Sequence, residues 1–152
     1  MADKSDLGRL LDEARAHTQA TLKAVDPALE VSPGWTVKDV IAHLTAWDQV
    51  TTEALRLFIA GQQYDLSHYR SMNDFNAQAV AARADRPLAQ VIAESEAARQ
   101  DLKAALADTP PEGLDEELQF PWRQHGTVSE MITIIAYHEQ DHAKAILARR
   151  GG

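Results

Sequence analysis

The chain has 152 residues, of which 45% are hydrophobic and 25% charged, with 15 Lys and Arg against 23 Asp and Glu for a formal charge of −8 at pH 7. That length suits one domain able to bury its own core, and the composition is that of a folded globular chain rather than a disordered one. Cysteine is absent, which excludes disulfides, thiolate metal sites and cysteine nucleophiles. The acidic balance argues against a nucleic-acid partner, whose phosphates are met by clustered Lys and Arg. No apolar run approaches the roughly 18 residues of a membrane span, and the polar start Met1-Ala2-Asp3-Lys4-Ser5-Asp6 leads into no apolar signal segment. A cytoplasmic protein with no membrane partner is the expectation.

Glycine and proline fall at Pro27, Pro33, Gly34, Gly61, Pro110, Pro111, Gly113, Pro121 and Gly126, leaving long uninterrupted stretches between them. The first stretch, about Ser5 to Val25, carries Leu7, Leu10, Leu11, Ala14, Leu22 and Val25 at the three-four spacing of one helical face. The second opens on Thr36-Val37-Lys38-Asp39, a capping box with Asp in place of Glu, flanked by Trp35 and Val40 as a hydrophobic staple. It continues through Ile41, Leu44, Trp47, Leu55 and Phe58 and stops at Gly61. The third, about Ser71 to Ala107, is alanine-rich and broken by Asp85-Arg86-Pro87, where proline predicts a kink or two segments. The fourth opens on the full capping box Thr127-Val128-Ser129-Glu130 and runs through Met131, Ile132, Ile134, Ile135, Ala145 and Ile146 to Gly151-Gly152. No segment alternates with period two, so no strands are expected. Four long amphipathic helices in one chain predict an all-α four-helix bundle over residues 1–152.

Three of the six histidines fall on inward faces. His43 lies between Val40 and Trp47 at helical spacing, and His138 and His142 continue the apolar stripe of the last helix. Imidazoles at i and i+4 share one face about 6 Å apart along the axis, which suits two ligands of one cation. A third ligand from another helix would complete a facial set with open positions. One such histidine is ordinarily a hydrogen-bonded core residue; three on two helices point to a metal site. The three reach nearly the same level only if the second and fourth helices are antiparallel. That requires a crossover, either Gly61 to Ser71 or Asp108 to Gly126, each long enough at ~3.3 Å per residue.

His138-Glu139-Gln140-Asp141-His142 also matches the zinc-protease pattern H-E-x-x-H. Too few residues follow for a downstream third ligand, no strand is expected to hold a peptide, and Asp141 charges the interval. Glu139 and Asp141 point about 100° or more from their neighbouring ligand and are expected on a solvated face. Asp48 and Asn76 fall on inward stripes and are candidate supports for the ligands or contacts for a substrate. Gln62 to Tyr69, with Tyr64, His68 and Tyr69, is read first as loop packing and second as a pocket lid; Trp122 and His125 are treated the same way. His17 is expected near the surface, and Arg83, Glu94, Glu96, Arg99 and Lys103 predict a wet face on the third stretch.

The run Pro33-Gly34-Trp35-Thr36-Val37-Lys38-Asp39-Val40-Ile41-Ala42-His43-Leu44-Thr45-Ala46-Trp47, with the pair His138 and His142, resembles the signature of the DinB/YfiT-like superfamily. Met72-Asn73-Asp74-Phe75-Asn76 and Arg86-Pro87-Leu88 resemble its ClbS/DfsB-like branch. The resemblance covers nearly the whole chain and implies an up-down-down-up bundle with Gly61 to Ser71 as crossover. It implies a divalent metal, nickel or zinc, on His43, His138 and His142, and a low-molecular-weight thiol as co-reactant of a transferase, isomerase or hydrolase acting on a small molecule, with detoxification among the roles. ClbS-like proteins can lack the triad that this chain keeps. Two alternatives stand beside a metal-dependent enzyme: a metal-free bundle that binds or sequesters a small molecule, and a protein that forms a homodimer through a bundle face.

Overall fold

A helix leaves its first N–H groups unpaired, so it starts where a side-chain oxygen can take them. In the computed structural model, which describes residues 2–150, Asp3 and Asp6 form a capping box ahead of α1 (Lys4–Ala24). Thr36 and Asp39 form the expected one ahead of α2 (Val37–Ile59). Ser71 accepts from Asp74 N ahead of α3 (Met72–Ala82), and α4 (Leu88–Asp108) begins directly after Pro87. Thr127 Oγ1 accepts from Glu130 N at 3.1 Å at the start of α5 (Val128–Arg150). The C-terminus of α2 closes at Gly61, whose φ is +77°, with Gln62 N returning to Leu57 O at 2.8 Å, the bond of a Schellman stop. The expected stop at Gly151-Gly152 lies outside the described residues.

Side-chain contacts between helices give their directions. Lys4 Nζ reaches Ala107 O (2.8 Å), Lys103 reaches Asp12 (2.8 Å) and Arg15 reaches Glu96 (3.0 Å), so α1 and α4 are antiparallel. Gln49 meets Glu94 (3.3 Å) and Arg56 meets Asp108 (2.6 Å), so α2 and α4 run parallel. Arg15 pairs with Glu139 (3.1 Å) and Arg150 reaches Ala24 O (3.4 Å), so α1 and α5 also run parallel. Ile146 packs with Val37, Val40 and Ile41 while His43 meets His138, which makes α2 and α5 antiparallel. The bundle is up-down-down-up.

The break at Pro87 does more than kink a helix. Trp47 donates to Asn76 (3.0 Å) and Lys38 Nζ to Ala84 O (2.9 Å), so α3 climbs back along α2 in the opposite direction. The crossover is therefore the whole of 61–87, with α3 as its second half, rather than the Gly61 to Ser71 loop alone. The expectation of no strands is also corrected. β1 (Glu30–Ser32) pairs with β2 (Trp35–Thr36), and β3 (Glu117–Gln119) with β4 (His125–Thr127), both antiparallel. These hairpins are too short to show a period in sequence. Pro33-Gly34 turns the first, with Gly34 at φ +82°, a value that a type II turn requires at its second central residue. In the second, a Cβ on Gly126 would stand 2.9 Å from Phe120 Cζ, so glycine there permits the close pairing.

Two apolar clusters fill the bundle. One gathers Leu7, Leu11, Leu55, Leu102, Met131 and Ile132 with their neighbours; the other gathers Val37, Ile41, Leu44, Val91 and Ile146. Between them lies a layer of four charges, one from each long helix: Arg15, Asp48, Arg99 and Glu139, exposed by 6%, 2%, 2% and 1%. Arg99 contacts Asp48 at 3.0 Å and Glu139 at 2.6 Å, and Arg15 contacts Glu139 at 3.1 Å and Asp48 at 3.4 Å. Thr18 Oγ1 donates to Glu139 (2.9 Å), Arg99 to Leu11 O (2.9 Å) and Arg15 to Ser95 O (3.3 Å), adding to the layer's hydrogen bonds. This overturns two expectations. Glu139 is not on a solvated face, and Arg99, with Arg83 at 6% exposure, is not part of a wet one: each arginine sits on an inward stripe where a carboxylate meets it. Burial pushes the Asp48 carboxyl up against the pull of Arg99. Burial works the same way on Glu139, but Arg99 and Arg15 overcome it and hold that carboxyl below the ordinary glutamate range.

Removing one member strands its partners without water. Glu139→Ala is expected to cost about 3–5 kcal/mol in urea unfolding. Arg56→Ala, which breaks the exposed pair with Asp108, should cost less than about 1 kcal/mol. Equal losses would mean that the layer carries no special weight.

Candidate metal centre

The capping box of α2 and the charged layer together set where the histidines land. Thr36 fixes the first turn of α2, placing His43 about two turns beyond the cap, at 4% exposure. On α5, Glu139 is drawn into the charged layer, and the next residue back, His138, consequently faces α2. His43 Nε2 and His138 Nε2 lie 3.2 Å apart, and His138 Nε2 and His142 Nε2 lie 3.1 Å apart. The three residues offer ligand atoms that all fall within 4.8 Å of one another. Nitrogens on one cation at about 2.05 Å stand about 2.9 Å apart at a right angle and about 3.3 Å apart at the tetrahedral angle. Both of these separations lie between those limits, so His138 pairs with each of the other two histidines at the spacing that ligands of one divalent ion take.

The rings are also in the right charge state. Burial, reinforced by His138 and His142, depresses the His43 pKa to about 3. Burial, then the charge of His142, depresses His138 to about 4, and burial lowers His142 as well. Imidazole ligates only when neutral, and His43 and His138 stay neutral well below pH 7. The second nitrogen of His43 is held from behind: Trp47 Nε1 lies 3.0 Å from His43 Nδ1 and 3.0 Å from Asn76 Oδ1. Asn76 also hydrogen-bonds the imidazole and favours its charged form. With Nε2 as the ligand atom, the neutral ring carries its proton on Nδ1 and donates it to an acceptor, a part that Asn76 Oδ1 can take and the indole N–H, itself a donor, cannot. Trp35 packs at 5.3 Å between ring centroids against His43, so the β1–β2 hairpin forms part of the site.

Of the residues singled out in sequence, His43, His138, His142 and Asn76 come together, whereas Asp48 sits in the charged layer, paired with Arg99 and Arg15. Glu139 of the H-E-x-x-H match is likewise turned into that layer, where a protease's base would be useless. Trp122, read first as packing, stands 5.5 Å from Trp47 between ring centroids. With Trp47, Met72, Gln124, Ile134, Ile135 and His138 it lines a cavity of about 250 Å³. Sequence reasoning missed this cavity because its walls come from α2, α3, α5 and the second hairpin. Tyr69 packs on Phe75 at 4.7 Å, and Phe75 on Trp47 at 4.9 Å. His17 is exposed.

Comparison with known proteins gives the family and the fold. Residues 29–141 match the family model for the mycothiol maleylpyruvate isomerase N-terminal domain. No curated protein matches the chain. Among solved structures, the mycothiol-dependent maleylpyruvate isomerase superposes with a TM-score of 0.77 at 18% identity, over 95% of this chain and 61% of that one. A histidine-to-alanine mutant of it superposes at 0.79 and 16%. This chain thus spans about three-fifths of the isomerase. The colibactin self-resistance protein ClbS in complex with double-stranded DNA superposes at 0.79 and 14% identity, over 100% of this chain and 98% of that one. An uncharacterised protein from Escherichia coli UTI89 superposes at 0.79 and 13%, over 98% and 93%. The ClbS complex corrects one expectation. A protein of this fold is found on DNA, so a charge of −8 does not exclude nucleic acid; phosphate contacts depend on where Lys and Arg cluster, which net charge does not report. Among the described residues, no helix is long and apolar enough to cross a membrane.

The depressed histidines tie stability to pH in the chelator-treated protein. Their folded pKa values lie below the ordinary value near ~6.5, so between about pH 6.5 and 4 the unfolded chain takes up protons that the folded site refuses. Stability is therefore full above pH 6.5 and falls as pH drops through that window. The thermal midpoint, followed by circular dichroism, should decline from pH 7 to 5. His138→Gln, which has no proton to gain on unfolding, should decline less steeply, and superimposable slopes would contradict the assignment.

Proposed function

The chain belongs to the mycothiol maleylpyruvate isomerase N-terminal domain family, within the DinB/YfiT-like superfamily, and from that premise we propose that it is a divalent-metal-dependent enzyme acting on a small molecule with a low-molecular-weight thiol. The observation that carries this reading is the convergence of the three Nε2 atoms at 3.1 and 3.2 Å. His43, His138 and His142 would hold the ion, nickel or zinc by donor type. When bound, such an ion supplies Lewis-acid polarisation of a coordinated oxygen or sulfur at its open positions. The chain's own residues do the rest. Asn76 orients His43, Glu139 locks the rotation of α5, and Trp47, Trp122 and Ile135 keep water from the reacting face. Isomerisation or group transfer, rather than peptide hydrolysis, suits a site whose H-E-x-x-H glutamate, Glu139, is bound by Arg99 and Arg15 in the charged layer.

A second reading is favoured by one observation. The chain spans 98% of ClbS but only 61% of the isomerase. That reading is a ClbS/DfsB-like protein that binds or disarms a small molecule without metal, on a fold that this chain shares along nearly the whole of ClbS.

Metal content decides between them. Protein purified without an affinity tag is expected to carry one divalent ion per chain by elemental analysis. Added zinc or nickel should raise the thermal midpoint of the chelated protein at pH 7.5, because a ligand that binds only the folded state stabilises it. The gain should shrink toward pH ~5.5, as protons increasingly compete for the imidazoles. His138→Ala should abolish the gain and His17→Ala should keep it. Equal shifts in both variants would place the ion elsewhere and leave the metal-free reading.

A further inference from the structure

We propose that the cavity beside the triad selects a neutral, largely aromatic small molecule presenting a single donor atom to the histidines, and rejects dicarboxylates. This rests on the metal-site reading for the donor atom alone; the selection itself comes from the cavity. Two indoles, Trp47 and Trp122, and three aliphatic side chains, Met72, Ile134 and Ile135, supply most of its lining, and no Asp, Glu, Lys or Arg takes part.

Both indole N–H groups are already used. Trp47 donates to Asn76, and Trp122 donates to Gln124 Oε1 at 2.8 Å. Polar capacity toward a ligand is thus limited to the Gln124 amide N–H and His138. The adjacent cation is turned away: Arg123 donates to Tyr69 O (2.7 Å) and Leu66 O (3.3 Å). It does so from a left-handed backbone, φ +72°, a conformation that costs a side-chain-bearing residue energy. The hairpin tip therefore accepts strain while its guanidinium ties down the 66–69 loop, leaving the cavity wall to Trp122.

A carboxylate entering such a lining loses its hydration and finds no partner. A single cation on the triad could meet one acidic group, and a second would stay uncompensated. Maleylpyruvate, the compound in the related isomerase's name, is a dicarboxylate, so this chain's cavity sets it apart from that substrate. The size is informative as well. An apolar cavity of about 150 Å³ accepts one benzene, and this one, at about 250 Å³, has room for two fused rings. Ile134 at 39% and Tyr137 at 51% exposure extend the apolar surface along α5 at the mouth.

Isothermal titration with 2-naphthol and naphthalene-2,6-dicarboxylate compares one ring frame with and without two charges. Each is titrated into chelator-treated and zinc-loaded protein, with zinc content measured on the same samples. The naphthol is expected to bind at least about tenfold more tightly in both forms. Ile134→Lys, at the exposed rim where folding tolerates it, should weaken the naphthol and strengthen the dicarboxylate. Selectivity for the naphthol in the metal-free protein supports the proposal even if no zinc binds, an outcome that would defeat the metal reading alone. Dicarboxylate binding as tight as the naphthol's in the metal-free form, or naphthol affinity indifferent to Ile134→Lys, would overturn it.

Discussion

Two arginines and two carboxylates, one from each long helix, meet in the middle of this bundle and exclude water. Buried charges are costly to desolvate, and a pair gains little over apolar packing when complete. Its force is in what happens when it is incomplete. Sliding any one helix by a turn, or inserting it in the opposite direction, would leave a guanidinium or carboxylate buried without a partner. Leucine and alanine stripes pack in several registers; Arg15, Asp48, Arg99 and Glu139 pair in one. The layer divides the apolar core in two and fixes the level at which the four helices meet.

The histidine triad is a dependent of that layer. Asp48 lies just over one turn beyond His43 on α2, and Glu139 directly follows His138 on α5. Residues next to each other on a helix point about 100° apart, so committing Glu139 to Arg99 and Arg15 turns His138 toward α2. The same commitment removes the glutamate from any catalytic role of the kind that the H-E-x-x-H pattern suggests. Stability and site geometry are thus carried by one set of contacts, and the site is held by rigid helices rather than loops.

The fold around this centre is shared with an isomerase and a self-resistance protein, at 14–18% identity. Fold alone does not separate them. Beside the triad in this chain lies an indole-lined cavity without charge, bordered by a hairpin tip with Arg123 at positive φ. In the proposed function, chemistry would fall to the histidines on α2 and α5, and ligand choice to Trp47, Trp122, Ile134 and Ile135.

How much of this was legible in the sequence depends on the range of the interaction responsible. The starts at Thr36 and Thr127, the stop at Gly61, the break at Pro87 and the inward placing of His43, His138 and His142 follow from local rules, because capping, proline geometry and helical periodicity act over three to five residues. The antiparallel pairing of the histidine helices followed too, since three ligands can meet only one way. The short hairpins escape, being too brief to establish a period, and Pro87 predicts a kink or two segments without giving the reversal of α3, because a proline break does not say which way the chain turns. Arg99 and Glu139 were placed in water because a charged residue is ordinarily exposed; only the tertiary structure, by bringing a guanidinium to each carboxylate, decided that they lie inside. The cavity is the extreme case: its lining comes from four separated elements, and no sequence window contains it.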